Sequence, residues 1–423
     1  MKIDVNQFLK PCSCGRKHEI VVDDIIIDSG AINQLPEILK RPAYADKKSL
    51  VMICDENTYE AAGKQVEALV PGLKKIVLNP DNLHANEHGV EAAKKGLDEI
   101  GDVDMMIAVG SGTVHDITRF HAYEMKIPFF SVPTAASVDG FVSTVAAMTW
   151  KGDKKTFTAV SPIYVVADTD IFKEAPYRLT ASGVSDLIGK YTALVDWKIS
   201  SIVIGEYICN KVCNMEIDAV NKLCECVDDL VLGKLEAYEQ LMYALILSGL
   251  AMQIIGNSRP ASGAEHHMSH LWEMEVINKH LDAYHGEKVS VGLILVMEEY
   301  KKIKKSIENG RCRVKKYYGL EEDMLKEVFK SREMYDSIMK ENTPDPLLNV
   351  NKVILQNRLE SIAEILEKLP TLDFVKDTLK RAKAVTTLEE IGLSNDVKQN
   401  SIRVSPYVRN RLTLMRISKM LEY

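Results

Sequence analysis

A chain of 423 residues is longer than one ordinary hydrophobic core needs, and 46% hydrophobic with 27% charged residues is the make-up of a folded globular enzyme, so two domains are expected and disorder is excluded. The formal net charge of -7 and a sequence pI near 5.9 exclude a generally basic surface, and with it nucleic acid or an anionic membrane as the main partner; a small anionic substrate fits through local charge. No window approaches about 18 uninterrupted apolar residues and MKIDVNQFLK has no signal-peptide core, so the expected place is the cytoplasm, without membrane insertion.

In that reducing compartment the 8 cysteines are expected to be free thiols. The first group, CSCGRKH, offers Cys12, Cys14 and His18 as metal ligands. Cys-x-Cys is not the usual zinc spacing, and no second pair follows at a suitable distance, so the sequence assigns no metal there.

From residue 20 to about 172, short β-rich runs alternate with helical ones, the pattern of a parallel sheet with crossover helices. EIVVDDIIIDSG, Leu50 to Cys54, KKIVLNP, DMMIAVG, KIPFFSVPT and SPIYVVADTDI read as strands. An α/β, Rossmann-like dinucleotide-binding domain with a doubly wound, mainly parallel sheet is therefore expected over residues 1–175, its ligand lying beyond the carboxyl ends of the strands. At one such end, VGSGTVHD places Gly110 and Gly112 where a backbone can approach a pyrophosphate. The N–H groups around Thr113, Val114, His115 and Asp116 would face the anion at a helix N-terminus. The same glycines also suit any tight strand-to-helix turn, and the third glycine of the usual fingerprint is absent. Asp55, ending an earlier strand, could accept from an adenosine ribose hydroxyl, and Glu56 beside it would repel a 2′-phosphate, which favours NAD over NADP.

The next loop, SVPTAASVDGFVS, gathers Thr134, Ser137, Asp139 and Ser143 directly after a buried strand, where the nicotinamide and the substrate should lie. The plainer reading is an Asx or Ser/Thr turn with Gly140 at positive φ.

After Ala175-Pro176 the apolar spacing changes to the helical period, so an all-α domain is expected over residues 176–423. Asp186 in its first helix could serve the helix dipole or ligate a metal. Leu235 to Ile255 reads as a buried helix. A helix from about Ser262 puts His266 and His270 on one face, and His285 opens the next apolar segment; three imidazoles that can converge suggest a metal. Arg259, just before that helix, suits a phosphate anchor or an ion pair equally, and Lys155 is a second phosphate candidate. Helices are also expected near 320–336, 346–368 and 371–384, with a last one in RNRLTLMRISKML.

Taken in order, GSGTVHD, PTAASVDG, APYRLTASGVSDLIGKYTALVDW, SGAEHHMSH and HGEK resemble the sn-glycerol-1-phosphate dehydrogenases, bacterial branch, within the metal-dependent, iron-containing type of alcohol dehydrogenase superfamily. The likeness is close over roughly residues 20 to 300. It implies a dehydroquinate synthase-like fold and the reduction of dihydroxyacetone phosphate, a small phosphorylated triose, with NADH or NADPH. It further implies one divalent metal (zinc, nickel or iron) held by Asp186, His266 and His285, and a homo-oligomer, as a dimer. Substrate contacts carry over to Asp139, Asp186 and His270, with His270 and Asp139 in catalytic positions. Nucleotide contacts carry over to Gly112 through Asp116, to Thr134, Ala135, Ala136 and Ser137, and to Ser143. Ser111 and His115 depart from the family's turn, and His267 has no role to inherit. A glycerol-type dehydrogenase acting on an unphosphorylated polyol, and a dehydroquinate synthase-like lyase, are the alternatives.

Overall fold

The structure is a computed structural model describing residues 3–423. It divides into two compact units, one of residues Met1–Leu187 with Asn221–Asn257, the other of Ile188–Val220 with Ser258–Tyr423.

The first unit is built on a six-stranded sheet. Its strands are β1 (Asp24–Asp28), β2 (Leu50–Asp55), β3 (Lys74–Leu78), β4 (Met105–Gly110), β5 (Phe129–Pro133) and, after a hairpin, β8 (Tyr164–Asp168). Their order is β1-β8-β5-β4-β2-β3, and every pairing is parallel. β4, β5 and β8 are buried at every position, whereas edge strand β3 alternates, as interior and edge strands of a covered parallel sheet should. The chain runs outward from β2 to β3 and then returns to β4 on the other side of β2, so the order reverses between β2 and β4. A crevice forms at such a reversal, beyond the carboxyl ends of the two strands. Those ends are Asp55 and Gly110.

The sequence pattern did not anticipate the hairpin β6 (Val145–Trp150) and β7 (Asp153–Thr158). Trp150 pairs with Asp153 across Lys151 and Gly152, both at positive φ (52° and 78°). That is the two-residue turn whose twist matches paired strands, and Lys-Gly was its signal. Lys155, the second phosphate candidate, therefore sits on a strand. Helix α1 (Gly112–Met125) follows β4; α2 (Tyr177–Ile188), apart from its last residue, and α4 (Leu235–Ile255) also belong to this unit. α4 is long and apolar enough to cross a membrane by length and composition, but 83% of its apolar window is buried. Its Gln253 accepts from Val21 N (2.9 Å) and donates to Ser161 Oγ (2.8 Å), which ties the N-terminal strand region to the end of the hairpin.

The second unit is largely helical and not all-α as expected, since Arg313–Val314 and Leu421–Glu422 pair as a short antiparallel sheet. Its core joins faces of α3 (Lys190–Ile204), α5 (Ala264–Glu273), α6 (His285–Glu308) and α7 (Lys352–Glu367), with Trp272, Met268, Ile303 and Leu355 among the buried residues. The helix expected near 320–336 is two, Glu322–Val328 and Arg332–Glu341, because Ser331 caps the second by accepting from Met334 N. The start expected near 346 is a 3-10 turn, Pro346–Asn349, and RNRLTLMRISKML yields only the short helix Leu414–Ile417. None of the eight cysteines is in a disulfide.

Candidate active site

In the first unit, three close approaches bring the Thr134–Ser143 loop against its neighbours. A Cβ at Gly112 would lie 2.9 Å from Val138 Cγ2, one at Gly183 on α2 would lie 2.1 Å from Ala136 O, and one at Gly249 on α4 would lie 2.4 Å from Val142 Cγ2. Thr134 N donates to Gly110 O (3.0 Å) and Ser182 Oγ to Ser137 O (3.3 Å). Gly140 does not have positive φ, so the loop does not turn there in that way, while Ser143 Oγ accepts from Val145 N (3.1 Å) in a Ser turn at the loop's end. Thr134, Ala135, Ala136, Ser137 and Ser143 are all buried.

The turn after β4 is uncapped by any side chain, which leaves the first N–H groups of α1 (Gly112, Thr113, Val114) directed beyond the sheet end. A Cβ at Gly110 would sit 2.6 Å from Val114, so this glycine is required by packing of the helix's own first turn. The side chain of His115 does not join that surface. It is fully buried, with Nδ1 2.9 Å from Ser111 O and Nε2 2.7 Å from Ser131 Oγ, and clamps the turn from behind. Asp116 pairs with Arg119 at 3.4 Å. Asp55 forms a capping box with Thr58, its Oδ1 accepting from Thr58 N (2.8 Å).

Arg119, which the sequence pattern did not single out, fixes the far side of the loop. Its guanidinium donates to the carbonyls of Gly140 (2.5 Å), Phe141 (3.0 Å), Ser143 (2.7 Å) and Val145 (3.2 Å). Asp139 N donates to Asp186 Oδ2 (3.0 Å), and Asp139 Oδ2 accepts from Ser248 Oγ (2.8 Å). Asp186 is fully buried.

Burial pushes His115 down to about 3 against the opposing Ser111 hydrogen bond, and burial likewise lowers His121. An unfolded histidine titrates near 6.5, so below that pH the unfolded chain takes up protons that these two native side chains refuse. Stability conferred by His115 is whole above about 6.5 and falls as pH drops from there towards about 3. At pH 5.5 its share of the loss is about 1.4 kcal/mol. Urea unfolding at pH 7.5 and 5.5 should show His115→Gln losing less stability than the wild type by that amount; equal losses would refute the neutral, buried imidazole.

In the second unit, α5 begins at a carboxylate cap from another helix: Asp196 Oδ2 accepts from Ala264 N (2.9 Å), and its Oδ1 accepts from Leu414 N (2.7 Å) and Tyr300 Oη (2.5 Å). Burial and then the nearby Glu265 raise Asp196 to about 7, against those donors. The rings of His266, His270 and His285 converge, with centroids 5.3 Å apart for His266 and His285, 6.1 Å for His266 and His270, and 5.8 Å for His270 and His285. His266 Nδ1 lies 2.8 Å from Glu265 Oε1, and His285 Nδ1 lies 2.8 Å from Glu273 Oε1. A carboxylate only accepts, so both Nδ1 atoms carry hydrogen and both Nε2 atoms present lone pairs.

Glu265 is held by Gly263 N (2.7 Å) and Thr192 Oγ1 (2.7 Å) as well. Burial alone would raise it, but the hydrogen bonds from His266, Thr192 and Gly263 more than offset that and keep it below the usual carboxylate range. One ligand atom from each of His270, Glu273 and His285 also falls within 4.8 Å of the others; Glu273 Oε1 is engaged by His285 Nδ1, which makes it a partner of the imidazole before it is a ligand. Glu265 and Glu273 escaped the sequence pattern, although each lies on the same short helix as His266 and His270. His267 is fully buried and is lowered by burial and then by the charges of Arg411, Arg409 and Arg259.

Arg259 is not at the surface. It is 2% exposed, with Nε 2.8 Å and Nη2 2.5 Å from the two Glu206 oxygens, and Nη2 also donates to Leu412 O (2.7 Å). A guanidinium fork spent on a carboxylate is a buried ion pair and not an open phosphate anchor.

Comparison with known proteins gives these features a family. The iron-containing alcohol dehydrogenase family model matches residues 26–176. A glycerol-1-phosphate dehydrogenase (NAD(P)+) from Geobacillus thermodenitrificans is 32% identical over 418 residues, covering 96% of this chain and 94% of the relative. One from Bacillus licheniformis is 40% identical over 308 residues (71% and 76%). The enzyme of the same name from Pyrococcus furiosus is 32% identical over 291 residues (67% and 82%). Among solved structures, 1,3-propanediol oxidoreductase superposes with a TM-score of 0.63 at 15% identity (95% and 96% covered). The archaeal halo-thermophilic alcohol dehydrogenase ADH/D1 from a Red Sea brine pool gives 0.62 at 16% (96% and 94%). At those identities the structures speak for the fold. On the nearly full-length match to its relatives, the chain belongs to the glycerol-1-phosphate dehydrogenases of the iron-containing alcohol dehydrogenase family.

Proposed function

We propose that this chain reduces dihydroxyacetone phosphate to sn-glycerol 1-phosphate with NADH or NADPH, and that Asp186, His266 and His285 hold the divalent metal the reaction needs. The reading rests on one observation above the rest: both imidazoles give their Nδ1 hydrogens to buried or half-buried glutamates, so two Nε2 lone pairs are fixed before any cation arrives. One carboxylate and two neutral imidazoles suit zinc, nickel or iron. Bound there, the cation would supply Lewis acidity for the substrate oxygen that gains negative charge.

The chain's own residues do the rest. Asp139 N–H holds Asp186 Oδ2, which fixes that carboxylate's direction. His270, one turn from His266, can donate an imidazole N–H to the oxygen that becomes the alcohol and pass it the proton. The uncapped start of α1 receives the pyrophosphate through the N–H groups of Gly112, Thr113 and Val114, with Thr134 to Ser137 and Ser143 lining the nicotinamide side. Asp55, at the carboxyl end of β2 beside the switch point, is the candidate ribose-binding acid through the oxygen that does not cap Thr58 N, and on that reading NAD is the better cofactor. The family's dimer is proposed for this chain on the same grounds as its ligands.

The test is direct. Metal-free enzyme is reconstituted with zinc, nickel or iron and given dihydroxyacetone phosphate with NADH or NADPH, and the product's chirality is assigned. Cofactor oxidation yielding sn-glycerol 1-phosphate is expected. No oxidation with any of the three metals, or equal turnover of unphosphorylated dihydroxyacetone, would refute the reading.

A further inference from the structure

The segment ahead of β1 contains a second set of ligand side chains, far in sequence from the histidine helix. We propose that Cys12, Cys14 and His18 form a structural zinc site, separate from the catalytic metal.

The sequence argued against it, since Cys-x-Cys lacked a second pair. The fold brings the His18 imidazole, four residues on from Cys14, to the two thiols. One ligand atom from each of Cys12, Cys14 and His18 lies within 4.8 Å of the other two. Cys14 Sγ is 3.3 Å from His18 Nε2. With Zn–S of about 2.3 Å and Zn–N of about 2.0–2.1 Å, the sulfur-to-nitrogen edge of a tetrahedral site is roughly 3.6 Å, so the pair stands within a few tenths of an ångström of ligating separation.

The orientation of the imidazole is the second observation. His18 Nδ1 lies 2.9 Å from Phe8 O. A carbonyl only accepts, so Nδ1 carries the hydrogen and the Nε2 lone pair is the one turned to the sulfur, the arrangement that metal-bound histidines take. The backbone is shaped for it as well. Gly15 N donates to Cys12 O (3.2 Å) and Gly15 has φ 78°, a left-handed turn directly after Cys14 that sends the chain back so that His18 can return. His18 is buried and both cysteines are half-buried, so the site is covered yet reachable by an ion.

A lone thiol–imidazole hydrogen bond would account for the Cys14–His18 contact, but not for a second thiol at the same point. The segment also has reason to need a staple: among its described residues before β1 only Ile3, Val5, Phe8, His18 and Val22 are buried. So short a stretch gains more order from one metal than from its own apolar contacts.

The experiment uses the full-length protein and does not depend on the catalytic assignment, because Asp186, His266 and His285 include no sulfur. Wild-type protein, purified under reducing conditions, is loaded with excess zinc chloride, desalted and examined for metal content and by zinc X-ray absorption. At least one zinc ion per chain is expected to carry two or more sulfur neighbours at about 2.3 Å. Cobalt chloride in place of zinc should give a thiolate-to-metal charge-transfer band. Cys12→Ser/Cys14→Ser should lose one equivalent of metal together with the sulfur signal, and keep its turnover when the catalytic metal is saturating. If that variant does not fold, the wild-type absorption decides alone. Wild-type protein with no sulfur neighbour around its zinc, or with Cys12 and Cys14 joined in a disulfide under those conditions, would overturn the proposal.

Discussion

Glu265→Gln is expected to weaken metal binding 10- to 100-fold, on the order of what loss of an outer partner costs a metal-ligating histidine, while leaving the fold intact. The substitution is nearly isosteric. The amide oxygen can still accept from Gly263 N and His266 Nδ1, and the Thr192 hydroxyl can turn to accept from the new NH2. What disappears is the negative charge behind the imidazole, which makes the Nε2 lone pair less basic. The variant should also relieve Asp196, whose raised titration owes its second largest contribution to Glu265. Zinc titration by calorimetry measures the affinity, and turnover at saturating zinc should recover most of its wild-type value. Unchanged affinity would remove Glu265 from any part in the metal site.

Gly183→Ala is the second large effect, and its sign is decided by two opposed magnitudes. Alanine is the better helix former by about 1 kcal/mol. Against that, the new Cβ would lie 2.1 Å from Ala136 O, 2.9 Å from Ala136 C and 3.3 Å from Ser137 Cα, all backbone, with no side-chain tip to swing aside. Overpacking of a rigid contact costs typically about 1–3 kcal/mol, occasionally more. The loop must therefore leave α2, taking Thr134 to Asp139 with it. We expect net destabilisation in urea and at least a tenfold loss of NADH affinity, on the order of one mispositioned set of polar contacts. Gly140→Ala, in the same loop, has nothing within 4 Å of its Cβ and should retain wild-type stability and binding. Equal behaviour of the two variants would show that the contact with α2 is not what places the loop.

The sheet was legible because each strand carries its own signal: continuous apolar runs such as MMIAVG and FFSVP are buried on both faces, and they register in parallel as expected. The histidine pair was legible for the same reason, since helical spacing puts His266 and His270 on one face. The glutamates behind the imidazoles were not. A glutamate beside a histidine in sequence is commonplace, and only the folded chain shows that Glu265 Oε1 lies at Nδ1 and not in solvent. Arg119 was hidden likewise, because its partners are backbone carbonyls, which no residue type announces. Arg259 misled in the opposite direction: its value as an anion ligand was read from its place before a helix, while Glu206, 53 residues upstream, takes up the fork.

The two units are each discontinuous in sequence, and this bears on how the protein can be made and divided. A ribosome that has released residues 1–175 has delivered all six strands of the sheet but not α4, the helix whose Gln253 bonds Val21 and Ser161 and whose Ser248 bonds Asp139. The first unit waits for residue 257 before it is whole, by which time residues 188–220 of the second have already emerged without their partners. No single cleavage separates the two as modules, and a gene fragment ending at residue 175 encodes a sheet with its closing helix missing.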